Sequence, residues 1–122
     1  MNFNLIEANK TRVLIWGSEG ALLSSEADTD DLLTSAWQHQ AELVAIPAER
    51  MNEKFFQLSS GLAGRIVQRF VNYRMPLAIV GDVSAHAQRS QALSDYIREA
   101  NRGRAIWFTD SLDALLARLD GV

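Results

Sequence analysis

The sequence contains no cysteine. That absence excludes a disulfide scaffold, a thiol nucleophile and a cysteine-ligated metal site. Histidine is nearly as scarce: His39 and His86 are the only two, and they do not have the His-x-x-x-His spacing of a metal pair. No metal is expected. No apolar run approaches the roughly 18 residues that a membrane-spanning helix needs. Met1-Asn2-Phe3-Asn4 lacks the basic and apolar regions of a signal peptide, so a cytoplasmic location and no membrane partner are the expectation. Lysine is rare too, at two residues against ten arginines, and the net charge is −3. A chain with that balance has no general basic face for nucleic acid. Gly17-Ser18-Glu19-Gly20 follows a strand, yet it lacks the third glycine of a dinucleotide loop and the Lys-Ser/Thr of a P-loop. It reads as a turn, and no cofactor is expected.

What remains is an ordinary globular composition in 122 residues, with 48% hydrophobic and 22% charged positions. One domain over residues 1–122 follows, long enough to bury a core unaided. The charge is uneven. Residues 1–49 sum to −6 and residues 50–122 to +3. Ion pairs between the two halves are the plain reading of that asymmetry, and binding of an anion by the arginine-rich half is the functional one.

The periodicity sets out the elements. Asn2 to Glu7 and Arg12 to Trp16 read as strands joined by the turn Ala8-Asn9-Lys10, an antiparallel hairpin. A helix opens near Asp28-Thr29, with Leu32, Leu33, Ala36 and Trp37 on one face. Leu43 to Ile46 is a short buried strand stopped by Pro47, and Phe55-Phe56 pin the polar loop that follows. Ser59 or Ser60 caps a helix to about Asn72, whose apolar stripe is Leu62, Ile66 and Phe70. Leu77 to Gly81 is apolar throughout, the pattern of a strand covered on both faces. A helix over Ala87 to Ala100 ends at Gly103, which suits a left-handed C′ position. Ala105 to Phe108 is the last strand, and Thr109 or Asp110 caps a final helix with Leu112, Leu115, Leu116 and Leu119 inward. The order implies an α/β fold: a mixed, mostly parallel sheet of about five strands, with an N-terminal β-hairpin and about four helices.

Two resemblances rest on these residues. Phe55-Phe56-Gln57-Leu58-Ser59-Ser60-Gly61-Leu62-Ala63-Gly64, continuing through Gln68, Phe70, Asn72, Tyr73 and Arg74 to Ala78-Ile79-Val80-Gly81-Asp82, resembles the bacterial family known as domain of unknown function 4180. Glu99-Ala100-Asn101-Arg102-Gly103 and the Trp107-Phe108 strand extend the likeness over nearly the whole chain. The label implies a compact α/β domain and no activity. Ser59-Ser60-Gly61-Leu62 is also similar to the Asp-Ser-Ser-Gly-Leu signature of sulfate-transporter and anti-sigma-antagonist (STAS) domains, with Leu58 in place of the aspartate. The run from Pro76 to Leu119 looks like the SpoIIAA-like relatives of that fold. This resemblance implies a regulatory module in which Ser59 is the phosphorylated residue.

The candidate site follows from both lines. Ser59, Ser60 and Gly61 open a helix whose N-terminus favours an anion. Arg65 and Arg69, with Arg74 at the helix exit, form the best-defined basic group. Asp82 and Asp110 are placed beyond the carboxyl ends of parallel strands, where ligands of open α/β sheets tend to sit. Against this, Ser59 and Ser60 serve as helix caps, Gly61 and Gly64 as close-packing positions, and Asp82 and Asp110 as turn and cap residues. No Gly-x-Ser-x-Gly elbow accompanies the triad types of Asp82, Ser84 and His86. The reading is therefore a non-catalytic binding or regulatory module for a protein partner or a small anionic ligand. The alternatives are a hydrolase-like enzyme using Asp82 and Asp110, which requires both carboxylates in one deep pocket, and a subunit that works as a homo-oligomer. Trp16, Trp37 and Trp107 are expected in the core or at its rim, with an exposed one marking an interface.

Overall fold

A computed structural model of the chain describes residues 3–120. The expected strand residue Asn2 lies outside them. Strand β1 (Phe3–Ala8) pairs antiparallel with β2 (Thr11–Trp16). Asn9 and Lys10 both take positive φ, 49° and 66°, as the two central residues of a type I′ hairpin turn must. Helix α1 (Asp30–Gln38) leads to β3 (Leu43–Pro47), and α2 (Leu62–Asn72) leads to β4 (Leu77–Val80). Helices α3 (Ser84–Arg89) and α4 (Gln91–Arg102) precede β5 (Ile106–Thr109), and α5 (Leu112–Asp120) completes the described chain. No helix among the described residues is long and apolar enough to cross a membrane.

The sheet has the order β1-β2-β3-β4-β5, with β2 through β5 mutually parallel. The expected α/β class and mixed sheet are present. The order never reverses. Right-handed crossovers in an unreversed order carry every connecting helix to the same face. The core divides accordingly. On one face, Leu14, Val44, Ile46, Leu77, Ile79 and Phe108 meet Leu32 of α1, Leu62, Ile66 and Phe70 of α2, and Leu93 of α4. On the other, Val13, Leu43, Ala45 and Ala78 meet Leu115 and Leu119 of α5. Each strand thus sends alternate side chains into two separate clusters.

Several local expectations are corrected. The helix expected over Ala87 to Ala100 is two helices. Ser90 is extended, at φ −147° and ψ 110°, and its Oγ accepts the N–H of Leu93 at 3.1 Å, so it ends α3 and caps α4. Gly103 is extended rather than left-handed, at φ −96° and ψ −160°. Ser111, not Thr109 or Asp110, caps α5, because its Oγ accepts the N–H of Ala114 at 3.1 Å. The Gly17–Gly20 turn is held from the side by Arg50, and Leu23 bridges to Met51 just beyond it.

Candidate functional site

The double serine does not stand directly at the helix start. Leu58–Ser60 forms a 3-10 turn, Gly61 takes a left-handed conformation at φ 81°, and α2 opens at Leu62. Ser60 Oγ donates to the Lys54 carbonyl oxygen at 2.6 Å and accepts the Leu62 N–H at 3.2 Å. Both capacities of that hydroxyl are spent on the backbone. Ser59 is exposed, and its side chain has no hydrogen-bond partner among the described residues. It lines a hollow of about 420 Å³ with Phe56, His86, Arg89 and Ser90, and the His86 ring stacks on Phe56 with centroids 4.2 Å apart. Gly61 is required by its φ, and a Cβ there would stand 2.8 Å from Arg65 Nη1. Gly64 is different: it is exposed with open space where a Cβ would be, so it does not serve close helix–sheet packing.

The arginine face does not converge. Arg69 pairs with Asp30 through Nη2, and its Nη1 lies 3.9 Å from Glu26. This is an ion pair between the acidic and basic halves of the chain. Arg65 is exposed near Gly61, while Arg74, at φ 56°, lies past the other end of α2. The helix rises about 10 Å from Arg65 to its end at Asn72, and Arg74 lies beyond that end. One small anion does not span them.

Asp82 and Asp110 follow the neighbouring strands β4 and β5, but Asp82 does not line the hollow that holds Asp110. Asp82 is fully exposed and accepts the Ser84 N–H at 2.9 Å. The Ser84 hydroxyl and N–H hold its carboxyl below the usual value of 3.8. Asp110 lines a separate hollow of about 360 Å³ with Gly81, Asn101 and Thr109. The strand order gives the reason. Ligand crevices of open α/β sheets form where the order reverses, and this sheet has no such point. Among the described residues, no three histidine, aspartate or glutamate side chains gather to hold a metal ion.

A groove between α1 and α2 unites residues that the sequence left apart. It encloses about 510 Å³ and is lined by Asp30, Leu33, Trp37, Arg69 and Tyr73, among others. Trp37 is 61% exposed and Tyr73 45% exposed. The expected burial of Trp37 beside Leu33 fails because it sits about 40° further round the helix, at the stripe's edge, where α2 leaves a gap. The Arg69 guanidinium carbon lies 6.0 Å from the Tyr73 ring centroid, and its Nε–H is buried without an acceptor. Ion pairing thus fixes Arg69 as a strut across the groove. Asp30 is the carboxylate that lines it, and Glu26 reaches the same Arg69, while Asp28 is occupied in accepting the N–H groups of Ser24 and Ser25. Arg69 and Trp37 were each singled out in the sequence, but their meeting with Tyr73 at one groove requires knowing that α1 and α2 are neighbours.

Comparison with curated proteins and with solved structures gave no match. The family comparison gave one, over residues 8–119, which takes in every strand of the parallel sheet and all five helices nearly to their ends. On that match the chain belongs to the family described as domain of unknown function (DUF4180).

Proposed function

We propose that the protein is a non-catalytic binding or regulatory module that docks a basic segment of a partner protein in the α1–α2 groove. One observation carries this reading: Trp37 stands 61% exposed beside Tyr73 over a formed groove. Tryptophan and tyrosine dominate the anchor positions of protein interfaces. The partner's chemistry follows from charge. The two carboxylates of Asp30 and Glu26 outnumber the single guanidinium of Arg69 that they share, and an aromatic face attracts a cation. An anionic occupant has less to meet there, because Arg69 is already neutralised by Asp30 and Glu26. The non-catalytic part is supported by the exposure of Asp82 outside the hollow that Asp110 lines and by the Ser60 hydroxyl being spent on backbone groups.

The test is a titration of an arginine-rich peptide and its glutamate-substituted counterpart, read by tryptophan fluorescence. The basic peptide is expected to bind and the acidic one not. Trp37→Ala should weaken binding at least tenfold, about 1.4 kcal/mol, with an unchanged melting curve. Equal affinity of wild type and variant would remove the proposal.

A further inference from the structure

The amino ends of β3, β4 and β5 meet the ends of α4 and α5 around a second cleft, of about 320 Å³. It shares no lining residue with the α1–α2 groove. Its floor is apolar: Leu43 and Leu119 are buried, and Pro76 and Trp107 are partly so. Arg102, Arg104 and Arg118 line the same cleft against a single carboxylate, Glu42. Glu42 is already engaged, since its Oε1 accepts the backbone N–H of Arg12 at 3.1 Å.

Two of the three arginines have structural occupations. Arg102 pairs with Glu99 at 3.1 Å. Arg118 lies with its guanidinium carbon 3.9 Å from the Trp107 ring centroid and donates through Nη2 to the Asn101 carbonyl oxygen. Trp107 itself is fixed, its Nε1–H donating to the Gly103 carbonyl oxygen at 2.7 Å. Both arginines stand in the last turn of a helix, where a cation offsets the negative end of the dipole. Arg104 has no such explanation. It lies between α4 and β5, exposed and without a partner among the described residues. It also lines an adjoining hollow of about 260 Å³ together with Arg74, which is exposed and equally unpartnered. Gathered cations repel one another, and an anion among them relieves that repulsion.

We infer that this cleft binds a small molecule that joins a flat apolar body to a phosphate or carboxylate group. The body lies on Leu43, Pro76 and Leu119 beside Trp107, and the anion meets Arg104 and Arg102. Small-ligand sites have this composition, an apolar concavity with a few fixed polar groups. A guanidinium fork matches two oxygens of either anion.

The probes are 1-naphthyl phosphate, 1-naphthoate, 2-naphthol and inorganic phosphate, titrated while the Trp107 indole N–H signal is followed by NMR. At least one naphthyl anion is expected to bind at least tenfold more tightly than naphthol and than inorganic phosphate, and to shift that signal. The tighter of the two anions identifies the headgroup. Arg104→Glu should weaken the anion at least tenfold and leave naphthol unchanged; should that variant fail to fold, Arg104→Gln carries the same comparison with a smaller loss. Absence of saturable binding by both anions, equal affinity in the Arg104 variant, or a Trp37 signal shifting in place of Trp107 would overturn the inference.

Discussion

The guanidinium carbon of Arg50 lies 3.6 Å from the centroid of the Trp16 ring. That residue is only 4% exposed and has no carboxylate partner among the described residues. Its donors go instead to backbone carbonyl oxygens: Nη1 to Gly17 and Glu19 at 2.7 and 2.8 Å, and Nε and Nη2 to Ala21 at 3.1 and 2.9 Å. A buried cation is thereby satisfied by the dipoles of the segment that follows β2, and that segment acquires a fixed course.

Removing this clamp should be costly. Arg50→Ala leaves those carbonyls without their donors and opens a cavity over Trp16, so a loss of about 2–4 kcal/mol is expected. Arg50→Lys keeps the charge but lacks the planar fork, and should recover less than half of the loss. Urea denaturation of the three proteins checks both values. A wild-type midpoint for Arg50→Ala would show that the clamp contributes nothing.

Two glycines of one helix start should respond in opposite directions. Gly61→Ala puts a Cβ on a residue at φ 81° and is expected to destabilise by about 1 kcal/mol. Gly64→Ala adds a methyl group into open space within α2 and should stabilise by about 0.5–1 kcal/mol. Thermal melts of the pair distinguish the roles. The same sign for both substitutions contradicts the assignment.

Asp82 should contribute stability at neutral pH and lose that contribution in acid. Its carboxyl is held below 3.8 in the folded protein by the Ser84 hydroxyl and N–H. A folded value below the unfolded one means the contribution is present above the unfolded value and is lost as pH falls through the folded one. The stability difference between wild type and Asp82→Ala should be constant at neutral pH and shrink below pH 3.8. Denaturation midpoints of both proteins across that range measure it, and a gap that widens on acidification would contradict the stabilising bond from Ser84 to Asp82.

Burial separates two aromatic residues whose positions look equally apolar in sequence. Phe70 is fully buried and Trp37 is 61% exposed. Phe70→Ala should cost about 3–5 kcal/mol, whereas Trp37→Ala should stay within about 1 kcal/mol. Equilibrium unfolding compares them directly. A large loss for Trp37→Ala would place that ring in the core after all.

The strands and helices were legible because their apolar periods are clean. Leu62, Ile66 and Phe70 recur at helical spacing and enter the core, as do Leu112, Leu115 and Leu119, and Leu77 to Val80 is covered on both faces. Adjacency between segments was not legible. No local pattern says that Arg69 reaches Asp30, that Tyr73 faces Trp37, or that Arg104 joins Arg74 at one hollow. The unreversed strand order was equally hidden, because crossover handedness fixes the side of a helix and not the position of a strand. The break at Ser90 escaped because the run Ser84–Gln91 contains no proline or glycine, and the cap that divides it is one hydroxyl.

The division of the core also bears on synthesis. Among the described residues, α5 is the one helix that covers the face of the sheet carrying Val13, Ala45 and Ala78. During translation that face stays bare until residues 112–120 have emerged, although every strand is already made. Exposed apolar sheet in a nascent chain invites chaperone capture or aggregation. The link from Asn9 Nδ2 to the Leu119 carbonyl oxygen at 2.8 Å then fastens the last helix to the first hairpin, closing the gap.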